Sequence, residues 1–128
     1  MASTPKILHL FSNHRWTGPA EPALTLIKYM RDLGWQIDFA CSVKGVSADK
    51  YNKVYDAAVQ WKISTHTNLY LSKHGSIIKD TLDTFRLSQI LQRENYKIIH
   101  CHLDNDHKLA KRVKKPYQFL IRSNYYGE

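Results

Sequence analysis

The segment spanning residues 6–34 constrains the fold more than any other part of the chain. It opens with a nearly continuous apolar run, typical of a strand buried on both faces, made of Ile7, Leu8, Leu10 and Phe11. A polar loop spans residues 12–18. Apolar residues then recur at helical spacing: Ala23, Leu26, Ile27, Met30 and Leu33. The segment is therefore predicted to form a buried strand, a loop and an amphipathic helix.

Sequence features also mark both ends of this helix. Because proline is tolerated only in the first turn of a helix, the helix is expected to begin between Pro19 and Pro22. Gly34 marks the other end of the helix, because the residue that follows a helix is commonly glycine. The backbone N–H groups at the start of such a helix favour an anion, and open α/β sheets bind ligands at this edge. Residues 12–18 are therefore the first candidate binding loop.

The rest of the chain continues the alternation of strands and helices. Strands are predicted at residues 35–41, 59–64, 97–102 and 118–122, and helices at residues 50–58, 78–95 and 103–115. This alternation indicates a parallel sheet with helices on both faces. Right-handed crossovers make 3-2-1-4-5 the default strand order. The predicted fold class is α/β, a Rossmann-like doubly wound parallel sheet, in a single domain over residues 1–128.

The helix at residues 78–95 has the clearest periodicity. Its apolar residues recur near 3.6-residue spacing and are expected to share one face: Ile78, Leu82, Phe85, Ile90 and Leu91. The polar stretch before it, residues 66–76, is predicted to be a loop in which Leu69 and Leu71 could dock on the surface.

The chain is strongly basic, with 19 Lys+Arg against 11 Asp+Glu and a net charge of +8. Such an excess favours anionic partners, although it can equally serve solubility. The best candidate patch is a basic run on the last helix: Lys108, Lys111, Arg112, Lys114 and Lys115. Aromatic residues are not interleaved with this run, so no nucleic-acid partner is expected. The run is either a solvated helix end or a contact for anionic lipid headgroups.

The two cysteines indicate a reducing compartment. Cys41 and Cys101 fall near the ends of strands that flank the first strand on opposite sides, which places them ~10 Å apart. That separation exceeds the reach of a disulfide, so two free thiols are predicted. Neither a signal peptide nor an apolar run near the ~20 residues of a membrane span is visible, and a cytoplasmic location is expected.

The predicted strand order brings two segments, residues 12–18 and 100–106, to one crevice. In the first, Arg15 and Trp16 combine a cation and an aromatic ring with Thr17 and Gly18 at a helix N-terminus, which suits a phosphate or a sugar. The glycines of the dinucleotide-binding and P-loop motifs are absent. A surface loop that merely turns the chain therefore stays an alternative.

Three polar residues follow the fourth predicted strand: Asp104, Asp106 and His107. They could orient substrate hydroxyl groups at the rim of the crevice. They could equally form the polar first turn of a helix, because the helix dipole favours acidic residues there.

Histidines in the predicted strands raise the question of a metal site. His100 and His102 should point to one face of their strand. No second pair of ligands stands at zinc spacing, and His9 is expected to be a hydrogen-bonded histidine of the core. The sequence therefore predicts no metal site and no bound cofactor.

Several of these segments together resemble the N-terminal part of GT-B glycosyltransferases of family 4, the group 1 type. That family opens with a K-I-L-H strand, a loop ending in G-G-A-E and a helix ending in L-x-x-x-G-H. In this chain the corresponding segments are KILH at residues 6–9, GPAE at residues 18–21 and DLGW at residues 32–35. Residues 96–102, YKIIHCH, resemble the family's P-D-I-V-H-x-H strand. Leu109-Ala110 resembles its following L-A helix, and residues 119–122, FLIR, its V-V-x-T strand.

The resemblance implies the acceptor-side, N-terminal Rossmann-like domain of a two-domain enzyme, without the C-terminal domain that binds the donor. The parent enzyme would transfer a sugar from a nucleotide-sugar to a hydroxyl of a glycan or lipid-linked acceptor, with retention and without a required metal. It would be cytoplasmic and could contact the inner face of an anionic membrane. The present chain alone is expected to be inactive.

The resemblance also implies site residues, though none that is catalytic. Thr17 and Gly18 would bind the donor phosphates, while the acceptor side would be lined by Arg15, His102, Asp104 and Asn124. Two positions depart from the family pattern. Pro19 replaces a glycine and has no N–H to offer, and Asn124 stands near a common family histidine but cannot carry a proton near neutral pH. The alternative is a stand-alone Rossmann- or flavodoxin-like binding module without catalytic activity.

Overall fold

The computed structural model of the chain describes residues 5–13, 16, 18–43, 52–71 and 76–123. In chain order its elements are β1 (Lys6–Phe11), α1 (Ala20–Asp32), β2 (Gln36–Cys41), α2 (Lys53–Gln60), β3 (Ser64–His66), α3 (Ile77–Glu94), β4 (Ile98–Cys101), α4 (Asp104–Val113) and β5 (Phe119–Arg122).

The five strands form one parallel sheet in the order β3-β2-β1-β4-β5. This confirms the predicted α/β fold class and strand order. The register places His9 beside His100 and Leu10 beside Cys101, so β1 and β4 end together at one edge. The predicted crevice between the first and fourth strands therefore has its basis in the sheet.

Alternate residues of the strands supply two apolar layers, one on each face of the sheet. On one face Phe11 and Phe39 pack with apolar residues of α1 and α2. On the other face Leu10 and Ile99 pack with α3 and α4. Cys41 belongs to the first layer and Cys101 to the second, and both are buried free thiols, as predicted.

The boundaries of α1 follow the sequence signals. The helix begins at Ala20, with Pro19 at the N-cap, which lies within the predicted interval. Gly34 follows its C-terminus with φ of +99°, a backbone conformation that favours glycine. The chain can therefore leave the helix sharply and enter β2.

The third strand is present, but its predicted bounds, residues 59–64, are wrong, because the end of α2 occupies residues 59–60. The side chain of Asn52 caps the helix by accepting a hydrogen bond from the Tyr55 N–H at 3.0 Å, and α2 then runs to Gln60. Lys62 turns the chain with φ of 58°, and β3 covers only Ser64–His66. The helix predicted at residues 50–58 is therefore displaced toward the C-terminus.

The predicted buried face of α3 is wrong in the first half of the helix. Ile78 and Phe85 are exposed, at 74% and 64%, while Leu87, Ile90 and Leu91 are buried as helical spacing would place them. In the first half the inward position is taken by Asp83, whose carboxylate accepts the backbone N–H groups of Tyr70 and Leu71 at 2.7 and 2.8 Å.

The same contact corrects the prediction for residues 69–71. Leu69 and Leu71 are fully buried in the layer beneath α3 and α4, rather than docked on the surface. Buried backbone N–H groups in a loop need acceptors. Asp83 supplies them, which explains why a carboxylate lies in the interior at this position.

Helix α4 is shorter than predicted and ends at Val113, with Lys114 already extended at ψ of 138°. Pro116 follows, as expected for a residue that stops a helix. Lys115 therefore does not continue the helical face, and the predicted basic face is reduced to Lys108, Lys111 and Arg112, all of them exposed.

Candidate functional site

The candidate site lies at the edge of the sheet where β1 and β4 end. The rings of Phe11 and His102 lie 6.1 Å apart there, so the chain leaving β1 and the chain leaving β4 are direct neighbours. In a doubly wound sheet this junction is the switch point, where loops diverge and leave room for a ligand. The geometry confirms that residues 12–13 and 102–104 share one edge.

Helix α1 begins beside this edge. Gly18 is exposed, and Pro19 is the N-cap of α1. The first backbone N–H groups of a helix have no partner within the helix, and the helix dipole makes this end electropositive. The start of α1 is therefore electropositive, with the exposed Glu21 in its first turn as the opposing charge.

Three imidazole rings line the α1 face of the sheet next to this edge. His9 and His100 are cross-strand neighbours with ring centroids 4.5 Å apart, and His100 and His102 are stacked at 4.5 Å within 6° of parallel. The Nδ1 atom of His9 and the Nε2 atom of His102 lie at hydrogen-bond distance, 2.8 Å. The prediction that His9 is a hydrogen-bonded core histidine is thus confirmed.

Burial keeps these imidazoles neutral. Burial lowers the pKa of His9 well below its ordinary value, and the neighbouring histidines lower it further. Burial, with the nearby His100 and Arg122, lowers the pKa of His102 to about 3. The pKa of His100, which is half-buried, is also lowered by burial. Neutral imidazoles can donate one hydrogen bond, accept another or bind a metal.

Asp106 anchors the start of α4. Its carboxylate accepts the backbone N–H of Leu103 at 2.8 Å and that of His102 at 3.4 Å. Burial raises the pKa of this carboxyl to about 7. Asp106 therefore belongs to the polar first turn of α4 and does not face a ligand, because it is fully buried and its oxygens accept backbone N–H groups at the start of the helix.

Asp104 is placed differently, on the rim of the crevice. Its side chain is 86% exposed and accepts a hydrogen bond from Arg122 Nη2 at 2.8 Å. This hydrogen bond and the positive charge of Arg122 lower the pKa of Asp104. The carboxylate of Asp104 is largely exposed beside this guanidinium, and an exposed carboxylate can accept hydrogen bonds from sugar hydroxyl groups.

The structure brings together only part of the predicted site. Gly18, His102 and Asp104 lie at the same edge, but His102 is buried beneath it, at 1% exposure. Arg15, Thr17 and Asn124 lie outside the described residues. Arg122 was not anticipated as a site residue; the parallel pairing of β5 with β4 could have indicated it, because residues that end adjacent strands meet at one edge.

A second polar cluster lies on the α3 face of the sheet and reaches toward the amino ends of the strands. The Tyr96 hydroxyl donates a hydrogen bond to Asp38 and lies 2.8 Å from His66 Nε2. The Nζ atom of Lys6 lies 3.6 Å from a carboxylate oxygen of Asp38 and 3.7 Å from one of Glu94. The lysine ammonium occupies the space between the two carboxylates. The charges of this cluster are therefore compensated within the cluster itself.

Comparison with solved structures finds the same fold in MurG from Acinetobacter baumannii, a GT-B glycosyltransferase, with a TM-score of 0.64 and 15% sequence identity over 91% of this chain. The chain spans about a third, 33%, of the length of that protein's chain. No protein-family model and no curated protein matches the sequence. At this level of identity the likeness shows a GT-B-like fold.

Within the described ranges, no helix combines the length and the apolar character needed to cross a bilayer.

Proposed function

We propose that this chain is the acceptor-side, N-terminal domain of a GT-B glycosyltransferase of the family 4 type. The complete enzyme would transfer a sugar from a nucleotide-sugar to a hydroxyl of a glycan or lipid-linked acceptor, with retention. The observation that carries the proposal is the edge of the sheet where β1 and β4 end together, beside the N-terminus of α1. The similarity in fold to MurG over 91% of the chain supports the same class.

On the donor side, the first turn of α1 would contact the diphosphate of the nucleotide-sugar. Gly18 is exposed and permits close approach of the backbone, and Thr17 would lie beside it. Pro19 lacks an N–H, so this loop supplies fewer donors than a glycine-rich loop would. The second domain would therefore supply most contacts to the donor, and electrostatic stabilisation of the leaving diphosphate would dominate the rate.

On the acceptor side, Asp104 would accept hydrogen bonds from acceptor hydroxyl groups, held in place by Arg122. The resemblance assigns Arg15 and Asn124 to the same side. Because His102 is buried, its role in this proposal is to support the floor of the crevice rather than to contact the acceptor. No resident metal or cofactor is required for this reaction.

The proposed setting is cytoplasmic. The partners would be the nucleotide-sugar, the acceptor and a donor-binding domain, with peripheral contact to an anionic membrane and no nucleic acid. The exposed basic residues of α4 provide the surface for the membrane contact: Lys108, Lys111 and Arg112.

The isolated chain, labelled with ¹⁵N, tests this proposal by NMR titration with UDP, GDP and soluble glycans. We expect no sugar transfer, and nucleotide binding no tighter than the millimolar range, because one loop supplies few of the contacts that a nucleotide needs. Acceptor glycans are expected to shift the amide resonances of Gly18, Asp104 and Arg122. Asp104→Ala should weaken this binding, whereas Asp32→Ala, at the opposite end of α1, should leave it unchanged.

Two results would count against the proposal. Binding of UDP or GDP by the isolated chain at micromolar concentration would favour the alternative, a stand-alone nucleotide-binding module. Glycan-induced shifts that are equal in the Asp104→Ala and Asp32→Ala variants would remove the acceptor site from this edge.

A further inference from the structure

The three stacked histidines have the composition and spacing of a metal-ligand set. One ring nitrogen from each of His9, His100 and His102 lies within 4.8 Å of the others. From the sequence only His100 and His102 were expected to share a face, and two ligands do not make a site. The pairing of β1 with β4 adds His9 as the third ligand.

We propose that His9, His100 and His102 bind one divalent transition-metal ion of the zinc type. This inference is independent of the proposed sugar transfer. Three imidazoles suit Zn²⁺, Co²⁺, Ni²⁺ or Cu²⁺ and do not suit Mg²⁺ or Ca²⁺, which take oxygen ligands.

The backbone already supplies the arrangement that such a site needs. Residues two apart on a strand project from one face, and a cross-strand neighbour stands beside them, so the ligands come from rigid positions in a sheet. With Zn–N bonds of about 2.0–2.1 Å, tetrahedral geometry sets neighbouring nitrogens about 3.3 Å apart. The 2.8 Å contact between His9 Nδ1 and His102 Nε2 is shorter than this spacing, so metal binding requires the two rings to rotate apart.

Two side-chain observations favour a ligand at this position. The Nε2 atom of His9 is buried and has no hydrogen-bond partner among the described residues, an unfavourable state that metal coordination would relieve. The Nε2 atom of His100 lies 2.6 Å from the Ser123 hydroxyl, so one nitrogen of that ring is held by a second group, as is usual for metal-bound histidines.

The charges around the cluster permit a cation. Arg122, whose charge acts on His102, is itself paired with Asp104. His100 is half-buried, so solvent reaches this ring of the cluster, and a water molecule would complete four-coordinate geometry.

Titration of the metal-free chain with Co²⁺ tests the site directly. A four-coordinate Co²⁺ ion gives visible d–d bands far stronger than those of the hexaaqua ion, and added Zn²⁺ should abolish them at one equivalent per chain. His100→Gln, at a half-buried position, should weaken Co²⁺ and Zn²⁺ binding by about tenfold or more. His107→Gln, on α4 and outside the cluster, is the matched control and should bind as the wild type does.

The spectrum of wild-type protein decides the question even if a variant fails to fold, and circular dichroism identifies such a variant. The weak spectrum of aqueous Co²⁺ at saturating metal would overturn the proposal. So would equal metal affinity of folded His100→Gln and wild-type protein, because the ion would then be held elsewhere.

Discussion

The buried carboxylate of Asp83 accepts a hydrogen bond from the backbone N–H of Leu71, at 2.8 Å. The contact joins the middle of α3 to Leu71, which lies 12 residues earlier in the chain. The same carboxylate also accepts a hydrogen bond from the N–H of Tyr70, so both of its oxygens are used. Leu69 and Leu71 are buried next to this contact. In the first half of α3, Asp83 faces the core and the apolar Ile78 and Phe85 are exposed.

The stability of the fold should therefore depend on Asp83. In Asp83→Asn, one carboxylate oxygen becomes an NH₂ group that faces a backbone N–H, and that buried donor loses its acceptor. We expect the free energy of unfolding to fall by about 2 kcal/mol. Urea denaturation followed by circular dichroism measures the change. Asp80→Asn, one turn earlier and only half-buried, is the control, and an equal loss in both variants would contradict the role assigned to Asp83.

The two thiols should be inert in the folded protein. Burial raises the pKa of Cys41 to about 12, and burial together with Asp106 raises that of Cys101. Since the thiolate is the reactive form, both thiols are almost entirely in the unreactive, protonated form at neutral pH. We expect slow reaction with a disulfide reagent in buffer and rapid reaction of two thiols in guanidinium chloride. Raising the pH from 7 to 9 should increase the native rate while leaving it far below that of the unfolded chain. Rapid labelling of a thiol in the native protein would contradict this expectation, because the buried thiol would then be reached by local opening of the fold. The Cys41→Ser variant shows which of the two thiols reacts.

The end of α1 should be sensitive to the side chain at residue 34. Gly34 has φ of +99°, where a β-carbon is strained, although no atom lies within 4 Å of the position it would occupy. Gly34→Ala should therefore lower the free energy of unfolding by about 1 kcal/mol through backbone strain alone. Gly34→Asn should cost less, because asparagine tolerates positive φ better. Thermal unfolding of the two variants distinguishes them, and equal melting temperatures would argue against strain at this position.

Binding to vesicles separates the two readings of the basic charge. Each basic residue near an anionic surface contributes about 1 kcal/mol, so three exposed residues on α4 should give measurable, salt-sensitive binding. We expect co-sedimentation with anionic vesicles and none with neutral ones, lost at high salt. The double variant Lys108→Glu/Lys111→Glu should bind more weakly, because both residues lie on the exposed face of α4.

The matched control for this experiment is Lys28→Glu/Lys53→Glu, which makes the same change in net charge at exposed positions on α1 and α2. Equal losses in the two double variants would show that total charge, and not the α4 face, drives binding. Equal recovery with anionic and neutral vesicles would reduce the basic charge to a solubility feature.

The sequence by itself determined the strand order and the edge of the sheet at which β1 and β4 end together. Both follow from local patterns: the buried run in β1, the regular alternation of strands with helices, and the single handedness of parallel crossovers. Pro19 and Gly34 marked the ends of α1 for equally local reasons, because each residue type restricts its own backbone. The two free thiols followed from the spacing of the strands.

Only the tertiary structure decided which side chains face inward where local patterns conflict. Ile78 and Phe85 have the periodicity of a buried face, yet Asp83 lies inside because a distant loop needs acceptors for its backbone N–H groups. His9 became a neighbour of His100 only through strand pairing, and Arg122 reached Asp104 only because β5 lies beside β4. The physical reason is common to all three: burial and pairing depend on contacts between residues far apart in the chain, which periodicity does not encode.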